Sequence, residues 1–556
     1  MFEVQVRAGD MKFGWIATAP ALASRQYSAP IYCIYLRVGV IFSLPGPKMT
    51  KKGIILTCFI VAKFLLQYLL YNPAYDLQRD EYLYLDQANH LAWGYLSVPP
   101  VTSWISRVIA YLGNTIFWIR FFPALFGVLT LVIVWKAIEE LQGRLFSLVL
   151  GASCILFSCL LRVNALYQQN SLDVLTWTAF YFVLIKYINT QKAKWLIAGA
   201  VVFAIGFLNK YNFLFLLSGL VPAVLLSQQR KVFAKKEIIL SVLLALLLIL
   251  PNLIWQVNNH FPVYYHMKEL TERQLVNINR LDFLKEQLFN FSGSFLIILL
   301  GVYSLLFYAP FKRYSFFVFA MIFTLSVFVY LRAKGYYAIG LYPIYISFGS
   351  VFIADILKGR RERYLQFIFV AIPILLFVLF FNVFFSSQSP AYIIKNNKEY
   401  KGSGLLRWED GKDHLLPQDN ADMLGWKELA YIVDSIFSTF PKSEQTLILC
   451  DNYGQAGAIN YYAKNINHAA VSFNADYINW FNLTMRFDNL IRVKENDQKE
   501  NELTTSSPFF SSAFIGGSVT NPLAREYGTT VFVFEKARID IRNRIKQEIE
   551  KTKSNR

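Results

Sequence analysis

The chain has 556 residues, of which 55% are hydrophobic and 17% charged, with 49 Phe and 33 Tyr. That balance excludes an ordinary soluble protein and places the chain among polytopic membrane proteins. The formal net charge of +18 does not signal nucleic acid as a partner, because the Lys and Arg cluster between apolar runs instead of forming one stripe, as the positive-inside bias produces.

Residues 1–48 form a mixed segment whose best apolar run, 31–44, is interrupted by Arg37 and is too short to span a bilayer. It lacks the long apolar region and small-residue cleavage site of a signal peptide. Met49-Thr50-Lys51-Lys52 leads straight into the apolar run 53–71, so Met49 is the expected start and 1–48 an upstream extension. The next stretch, 76–100, carries Asp76, Arg79, Asp80, Glu81 and Asp86. It cannot lie in hydrocarbon. Tyr84, Ala88, Leu91, Ala92 and Tyr95 recur at helical period, with Asp86, Gln87, Asn89, His90 and Trp93 on the other side. The pattern predicts a short amphipathic helix lying along the membrane surface, opened by Asp80 and Glu81.

Eleven apolar runs are read, at about 53–71, 116–138, 146–161, 171–188, 195–208, 212–227, 238–255, 291–309, 315–331, 337–356 and 366–384. With Lys51 and Lys52 inside, the inside segments (139–145, 189–194, 228–237, 310–314 and 357–365, the last with Arg360 and Arg361) hold about fifteen Lys and Arg, against about four in the short outside segments 162–170, 209–211 and 332–336. The N-terminus is therefore expected inside and the first loop outside. After 49–385, a transmembrane domain, polar residues rise. Strand-like runs at 446–450, 469–473, 513–515 and 530–534, with a helix at 454–464, predict a soluble α/β domain over 386–556. It lies outside, since an odd number of spans precedes it. Residues 494–501 read as a solvated loop and 536–556 as a charged, partly helical tail. Five cysteines are too few and scattered for a disulfide framework; Cys58, Cys154, Cys159 and Cys450 read as small buried hydrophobes.

Adjacent acids at a membrane exit, as in Asp80-Glu81, can serve as general base, metal ligand or cation partner, or simply favour a helix N-terminus. Asp173, at the outer end of an apolar run in N-S-L-D-V-L-T-W, is a functional hypothesis by position; the alternative is a first-turn charge after a cap by Asn170 or Ser171. Lys210 breaks two apolar runs on the side where the charge bias disfavours it. A cation so placed can hold an anion or snorkel to headgroups. Arg332, Lys334, Tyr336 and Tyr337 form a second outside turn, suited to a phosphate or a sugar, or to an interfacial aromatic belt. In the long loop 256–290, His260 and His266 stand at i and i+6, a poor same-face spacing for a metal. A divalent metal is left open, with Asp80, His260 and His266 as the residues of the right type; no other cofactor is called for.

At these residues the chain resembles the GT-C membrane glycosyltransferases, in the family 39-like bacterial group related to protein O-mannosyltransferases and the lipid A aminoarabinose transferase. The likeness covers about 49–385. It is carried by R-D-E-Y-L-Y-L-D, the W-G-Y-x-x-x-P-P that follows, the Asp of S-L-D-V-L, P-N-L-I-W-Q at 251–256 and K-G-Y-Y-A-I-G-L-Y-P at 334–343. The resemblance implies a GT-C fold of about eleven transmembrane helices in the bacterial inner membrane, with the C-terminal domain periplasmic. It implies inverting transfer of a sugar from a polyprenyl-phosphate donor to a lipid, glycan or protein acceptor on the outer face. It makes Asp80 the general base, with Asp173 a second acidic site residue and Lys210 and Lys334 contacts of the carrier phosphate. Many relatives carry an acid just before the Pro-Pro, where this chain has Ser97 and Val98, which puts a divalent metal in doubt. Two further stretches, D-M-L-G-W-K-E-L at 422–429 and N-Y-G-Q-A-G-A-I-N-Y-Y at 452–462, resemble Bacteroidetes-type members. The reading from another class is a transporter or lipid flippase; against it stand charges gathered on one side of the membrane and the lack of a Gly/Pro-broken helix pair in matching halves.

Overall fold

Each of the eleven apolar runs folds as a helix, as a backbone in hydrocarbon requires, since it has no water to satisfy its N–H and C=O groups. The computed structural model describes residues 50–359, 362–384, 388–466 and 469–554. The extension 1–48, the expected start at Met49, and Arg360 and Arg361 lie outside the described residues. Six helices among those described are long and apolar enough to cross a membrane: Lys51–Leu69, Ile116–Glu140, Gln169–Thr190, Lys236–Asn258, Gly335–Ile356 and Arg363–Phe381. Two bent pairs, Phe213–Leu225 with Gln228–Ala234 and Arg280–Asn290 with Ser292–Phe307, raise the number to eight. Leu145–Leu156, Ala193–Asn209 and Phe316–Tyr330 are apolar but shorter.

Helix Tyr342–Ile356 is apolar all round and buried nearly throughout, packed against Phe295–Phe307, Leu145–Leu156 and Ile116–Glu140. Lys51–Leu69, Lys236–Asn258 and Arg363–Phe384 instead expose apolar faces such as Leu65, Leu247 and Phe367, as lipid-facing helices do. The first span hides a lysine. Lys63 is fully buried and its Nζ donates to Leu160 O at 3.3 Å, while Gln67 Nε2 donates to Leu161 O at 2.8 Å. These side chains satisfy carbonyls beside the break between Leu145–Leu156 and the short helix Leu160–Val163. Cys154 and Cys450 are buried as expected, but Cys58 is exposed on the first span; a small apolar sulfur suits a lipid-facing position equally well.

The stretch 76–100 departs from its expectation. Its helix, Arg79–Asp86, is only eight residues long, is followed by the single turn Gln87–Asn89, and is buried from Glu81 to Asp86. It does not lie along a membrane surface. Helix Tyr453–Tyr462 of the C-terminal region packs on it. Asp86 accepts from Tyr477 Oη at 2.8 Å and Asn460 Nδ2 at 2.7 Å, and Gln87 Nε2 donates to Asp476 at 3.0 Å. The polar face read as solvent-facing is thus turned toward polar partners almost four hundred residues away in sequence.

The C-terminal region forms a five-stranded sheet from β1 Thr446–Cys450, β2 Val471–Ser472, β3 Asn489–Lys494, β4 Phe510–Ser518 and β5 Thr530–Ala537, in the order β2-β1-β3-β5-β4. β1 pairs in parallel with β2 and β3, whereas β5 is antiparallel to β3 and β4. Strand β3 escapes the hydropathy reading because N-L-I-R-V-K carries two cations. Both are matched by Asp451, which follows β1. The tail closes with helix Ile541–Ser554, and from Ile54 on the described chain is one compact unit.

Candidate functional site

The connections assigned to one side by the charge bias all come to one end of the bundle. They line a cavity of about 3390 Å³, walled by residues from 78–99, 157–170, 210–215, 258–293 and 332–339 together with C-terminal residues such as Glu409, Asp422 and Tyr453. None of the described residues of the segments 139–145, 189–194, 228–237, 310–314 or 357–365 contributes to it. The motifs hold this end together. Gly94 of W-G-Y lies so close to the Trp255 ring of P-N-L-I-W-Q that a Cβ there would come within 2.4 Å of it. Asn252 Nδ2 donates to Trp93 O at 2.7 Å, and Tyr211 is bound between Asn252 and Gln256.

Asp80 and Glu81 have opposite fates. Asp80 lines the cavity; its Oδ1 accepts from Tyr453 Oη at 2.6 Å and its Oδ2 faces Gln168 Nε2 at 3.5 Å. Glu81 is turned into the protein, fully buried and ion-paired with Arg120, whose Nη2 reaches Oε2 at 3.1 Å. Its oxygens also accept from Tyr167 N at 2.6 Å and, in a capping box, from Gln78 N at 2.7 Å. Glu81 is therefore not a catalytic candidate but a structural anchor: successive helical residues point about 100° apart, and here the pair straddles the wall of the cavity.

Lys210, Arg332, Lys334, Tyr336 and Tyr337 all line the cavity. Lys210 caps the C-terminus of helix Ala193–Asn209; its Nζ donates to Asn170 Oδ1 at 2.8 Å and lies 4.4 Å from the Tyr337 ring centroid and 5.3 Å from that of Tyr336. Burial lowers its pKa to about 8, with Asp173 opposing and Lys334 assisting. It still carries its proton at neutral pH. Lys334 is ion-paired with Glu409 and donates to Gln274 Oε1 at 2.8 Å. Burial pulls its pKa down, but Glu409, Tyr337 and Asp80 more than offset this and hold it above the usual lysine value. Arg332, at a positive φ of 53°, donates to Val276 O at 2.9 Å.

Asp173 does not reach the cavity wall. It lies behind it, buried in the second turn of Gln169–Thr190, where Oδ2 accepts from Asn212 Nδ2 at 2.8 Å and Oδ1 has no hydrogen-bond partner among the described residues. The same amide donates to Tyr337 O at 3.0 Å. Asp173 thus braces the turn that carries Lys210, and the cap alternative fails too, since Gln168 is the N-cap residue without a side-chain capping bond. His260 and His266 line the cavity with Asp80, but no group of three or more metal-ligating side chains occurs among the described residues. His266 is held below the usual imidazole pKa, chiefly by burial, so it is neutral at pH 7.

Tyr453, missed by the sequence reading, opens the helix that follows β1. Asn452 caps its helix in a reciprocal box with Gln455, fixing the loop. Gly454 and Gly457 admit the neighbouring helix: a Cβ on either would come within 2.7 Å of Arg79 Cγ or Tyr82 Cβ. The Tyr453 ring stacks on the Arg79 guanidinium at 4.4 Å. Burial, against the pull of Arg79, raises the phenol far above its usual pKa and keeps it a donor. The signal was the 452–462 motif, noted as a mark of kinship without its chemistry.

Residues 97–255 match the family model described as dolichyl-phosphate-mannose-protein mannosyltransferase. The lipid A galacturonosyltransferase RgtD of Rhizobium johnstonii is 27% identical over 213 residues, 37% of this chain and 44% of that one. The aligned segment thus spans less than half of that relative. Among solved structures, ArnT from Cupriavidus metallidurans bound to undecaprenyl phosphate superposes with a TM-score of 0.60 at 12% identity, over 87% of this chain and 98% of that one. The apo state of the same protein gives 0.59 at 13% identity, over 86% and 97%. The chain has the GT-C fold, as ArnT does, and its residues 97–255 relate it in sequence to the mannosyltransferase family model.

Proposed function

We propose that the chain is a glycosyltransferase that moves a sugar from a polyprenyl-phosphate donor to a lipid, glycan or protein acceptor at the outer face of the bacterial inner membrane. One observation carries the reading: a carboxylate, Asp80, and two lysines, Lys210 and Lys334, face the same cavity at one end of the bundle. The activity of the galacturonosyltransferase relative and the undecaprenyl phosphate bound to ArnT support the same chemistry.

A polyprenyl phosphate is already a good leaving group, so the protein must place the acceptor hydroxyl, take its proton and neutralise the departing phosphate. Asp80 Oδ2 accepts the hydroxyl proton as the acceptor oxygen forms its bond to the anomeric carbon. The bond from that carbon to the phosphate oxygen breaks, and the phosphate leaves with its electron pair toward Lys210, Lys334 and Arg332. A single displacement of this kind inverts the anomeric centre. Tyr336 and Tyr337 wall the sugar beside the cations. A transport path would instead place charge along the bundle axis, and the buried Lys63 is bound to the Leu160 carbonyl.

The test is transfer by the purified protein from a radiolabelled undecaprenyl-phosphate sugar. Label is expected in an acceptor extracted from host membranes; label remaining wholly in the donor would sink the transferase reading. Reporter fusions after Gln274 and Asn420 should report the periplasm, and one after Lys236 the cytoplasm.

A further inference from the structure

Lys334, one of the two lysines facing the cavity, already holds an anion. Its partner is Glu409, which belongs to neither the bundle nor the sheet. Glu409 stands near the tip of a hairpin, residues 404–416, in the chain between the last span and β1, and Gly404, Leu405, Arg407, Trp408, Glu409 and Gly411 of that hairpin line the cavity.

The hairpin holds itself together. Trp408 stacks on His414 with ring centroids 3.7 Å apart, Trp408 N donates to Lys412 O at 2.9 Å, and His414 N donates to Leu406 O at 2.8 Å. Trp408 Nε1 donates to Leu416 O at 2.8 Å, and Leu406 and Leu416 are buried. Its grip on the bundle is slight by comparison. Among the described residues, its hydrogen bonds to the bundle all involve Glu409: the carboxylate takes the Lys334 ammonium, and the main-chain carbonyl accepts from Asn277 Nδ2 at 3.1 Å. Gly404 and Gly411, at φ of 75° and 79°, have open space where a Cβ would stand, and Arg407, Lys412, Asp413 and Leu415 are exposed. One side chain thus latches a stiff, loosely seated hairpin to the bundle.

An ammonium has three N–H donors, and on Lys334 Gln274 Oε1 and Glu409 take two of them. Glu409 is ionised at neutral pH, because Lys334 first, then Gln418 and Arg525, hold its pKa below the usual carboxylate value against the effect of burial. A phosphate brought to Lys334 therefore meets a carboxylate beside it, and like charges at that range in a partly buried site repel. The two anions compete for one cation.

We infer that Glu409 fills the seat of the donor phosphate on Lys334, and that the polyprenyl-phosphate donor binds by exchanging with it and releasing the hairpin from the bundle. This rests on the transferase reading above and deepens it. No covalent bond changes in the exchange. The displaced carboxylate keeps Gln418 Nε2, which donates to it at 3.0 Å from the foot of the same hairpin, and Arg525 is near enough to act on its pKa. Until the donor arrives, Lys334 is spared from standing buried without an anion. A neutral headgroup has no charge with which to replace the carboxylate.

The experiment measures binding of radiolabelled undecaprenyl phosphate to the full-length protein in nanodiscs. Glu409→Gln removes the competing charge and keeps the shape, so affinity should rise about tenfold, the scale of one charge-assisted hydrogen bond. Glu409→Ala should act in the same direction. The gain should vanish in a Lys334→Ala background, which has no seat to vacate. Glu399→Gln takes a charge from the same wall without touching Lys334, and should change affinity by less than about twofold. Affinity unchanged or lowered by both Glu409 variants would make the ion pair a structural brace and overturn the inference, and an equal gain from Glu399→Gln would overturn it in favour of a general field. Sugar transfer by a protein whose carrier affinity ignores Glu409 would sink the seat alone. Binding that follows the expected pattern in a protein that transfers no sugar would sink the transferase reading and not the seat.

Discussion

The bundle and the α/β domain each give a wall to one cavity, and they build it by different physics. The bundle places cations at helix ends: Lys210 at the end of Ala193–Asn209, its pKa lowered by burial, and Lys334 in the turn before Tyr342–Ile356, its pKa held up against burial by Glu409 and other neighbours. The C-terminal region contributes close packing through Gly454 and Gly457, a hydrogen bond from the Tyr453 phenol to Asp80, and the Glu409 carboxylate that pairs with Lys334. Charge near a low-dielectric bundle is strong and exposed to pH, whereas the capped helix after β1 is geometrically firm and presents an uncharged phenol to Asp80. Asp80 stands between, attached by backbone to the first wall and by hydrogen bond to the second.

Removing the group in the middle should have the largest effect. Asp80→Asn keeps shape but supplies no base, so single-turnover transfer should fall by about 10²–10⁴ while undecaprenyl-phosphate binding persists; retention of more than about a tenth of the rate would leave Asp80 a helix-end charge. Its neighbour sharpens the contrast. Glu81→Gln leaves Arg120 buried without its charge partner, and breaking such a pair costs about 3–5 kcal/mol. The expected signature is a marked drop in the melting temperature of the detergent-solubilised protein, with the remaining folded fraction still active. A variant as stable as wild type but inactive would return Glu81 to the chemistry.

On the bundle side, Lys210→Ala should weaken donor binding by about ten- to a hundredfold, the range for a hydrogen bond to a charged group, and slow chemistry less. The sign of its pH dependence follows from a pKa of about 8: the ammonium is present below that pH and lost above it. Donor affinity should therefore fall as pH rises through about 8, and Lys210→Arg should remove that fall; a flat titration of wild-type binding would place the phosphate elsewhere. Tyr453→Phe, on the α/β side, should be mildest. It deletes one hydrogen bond and no charge, so kcat should fall by only about three- to tenfold with donor KM unmoved. An equal change in both, or a loss of folded protein, would make the contact merely structural.

Much of the fold was legible because its determinants are local. Hydropathy located the eleven helices, and the Lys and Arg bias sorted their connections into two groups, one of which lines the cavity. Position along that alternation also picked out Asp80, Lys210, Lys334 and the tyrosines after it. Span length was less legible, since a run of apolar residues does not say where a helix bends. The interfacial helix was misread for a related reason: a polar face such as Asp86 and Gln87 looks the same whether it meets water or Tyr477 and Asp476.

What the sequence by itself determined, then, is which segments are helical, which ends they share, and which ionisable residues gather at the cavity end, since burial in lipid constrains every residue of a span independently. Tertiary structure alone decided the direction of each side chain. Asp80 and Glu81 are adjacent in the chain, yet one faces Tyr453 across the cavity wall and the other Arg120 inside it. Those partners lie far away in sequence, and a hydrogen bond or buried ion pair exists only when folding brings both groups to the same place in the right orientation.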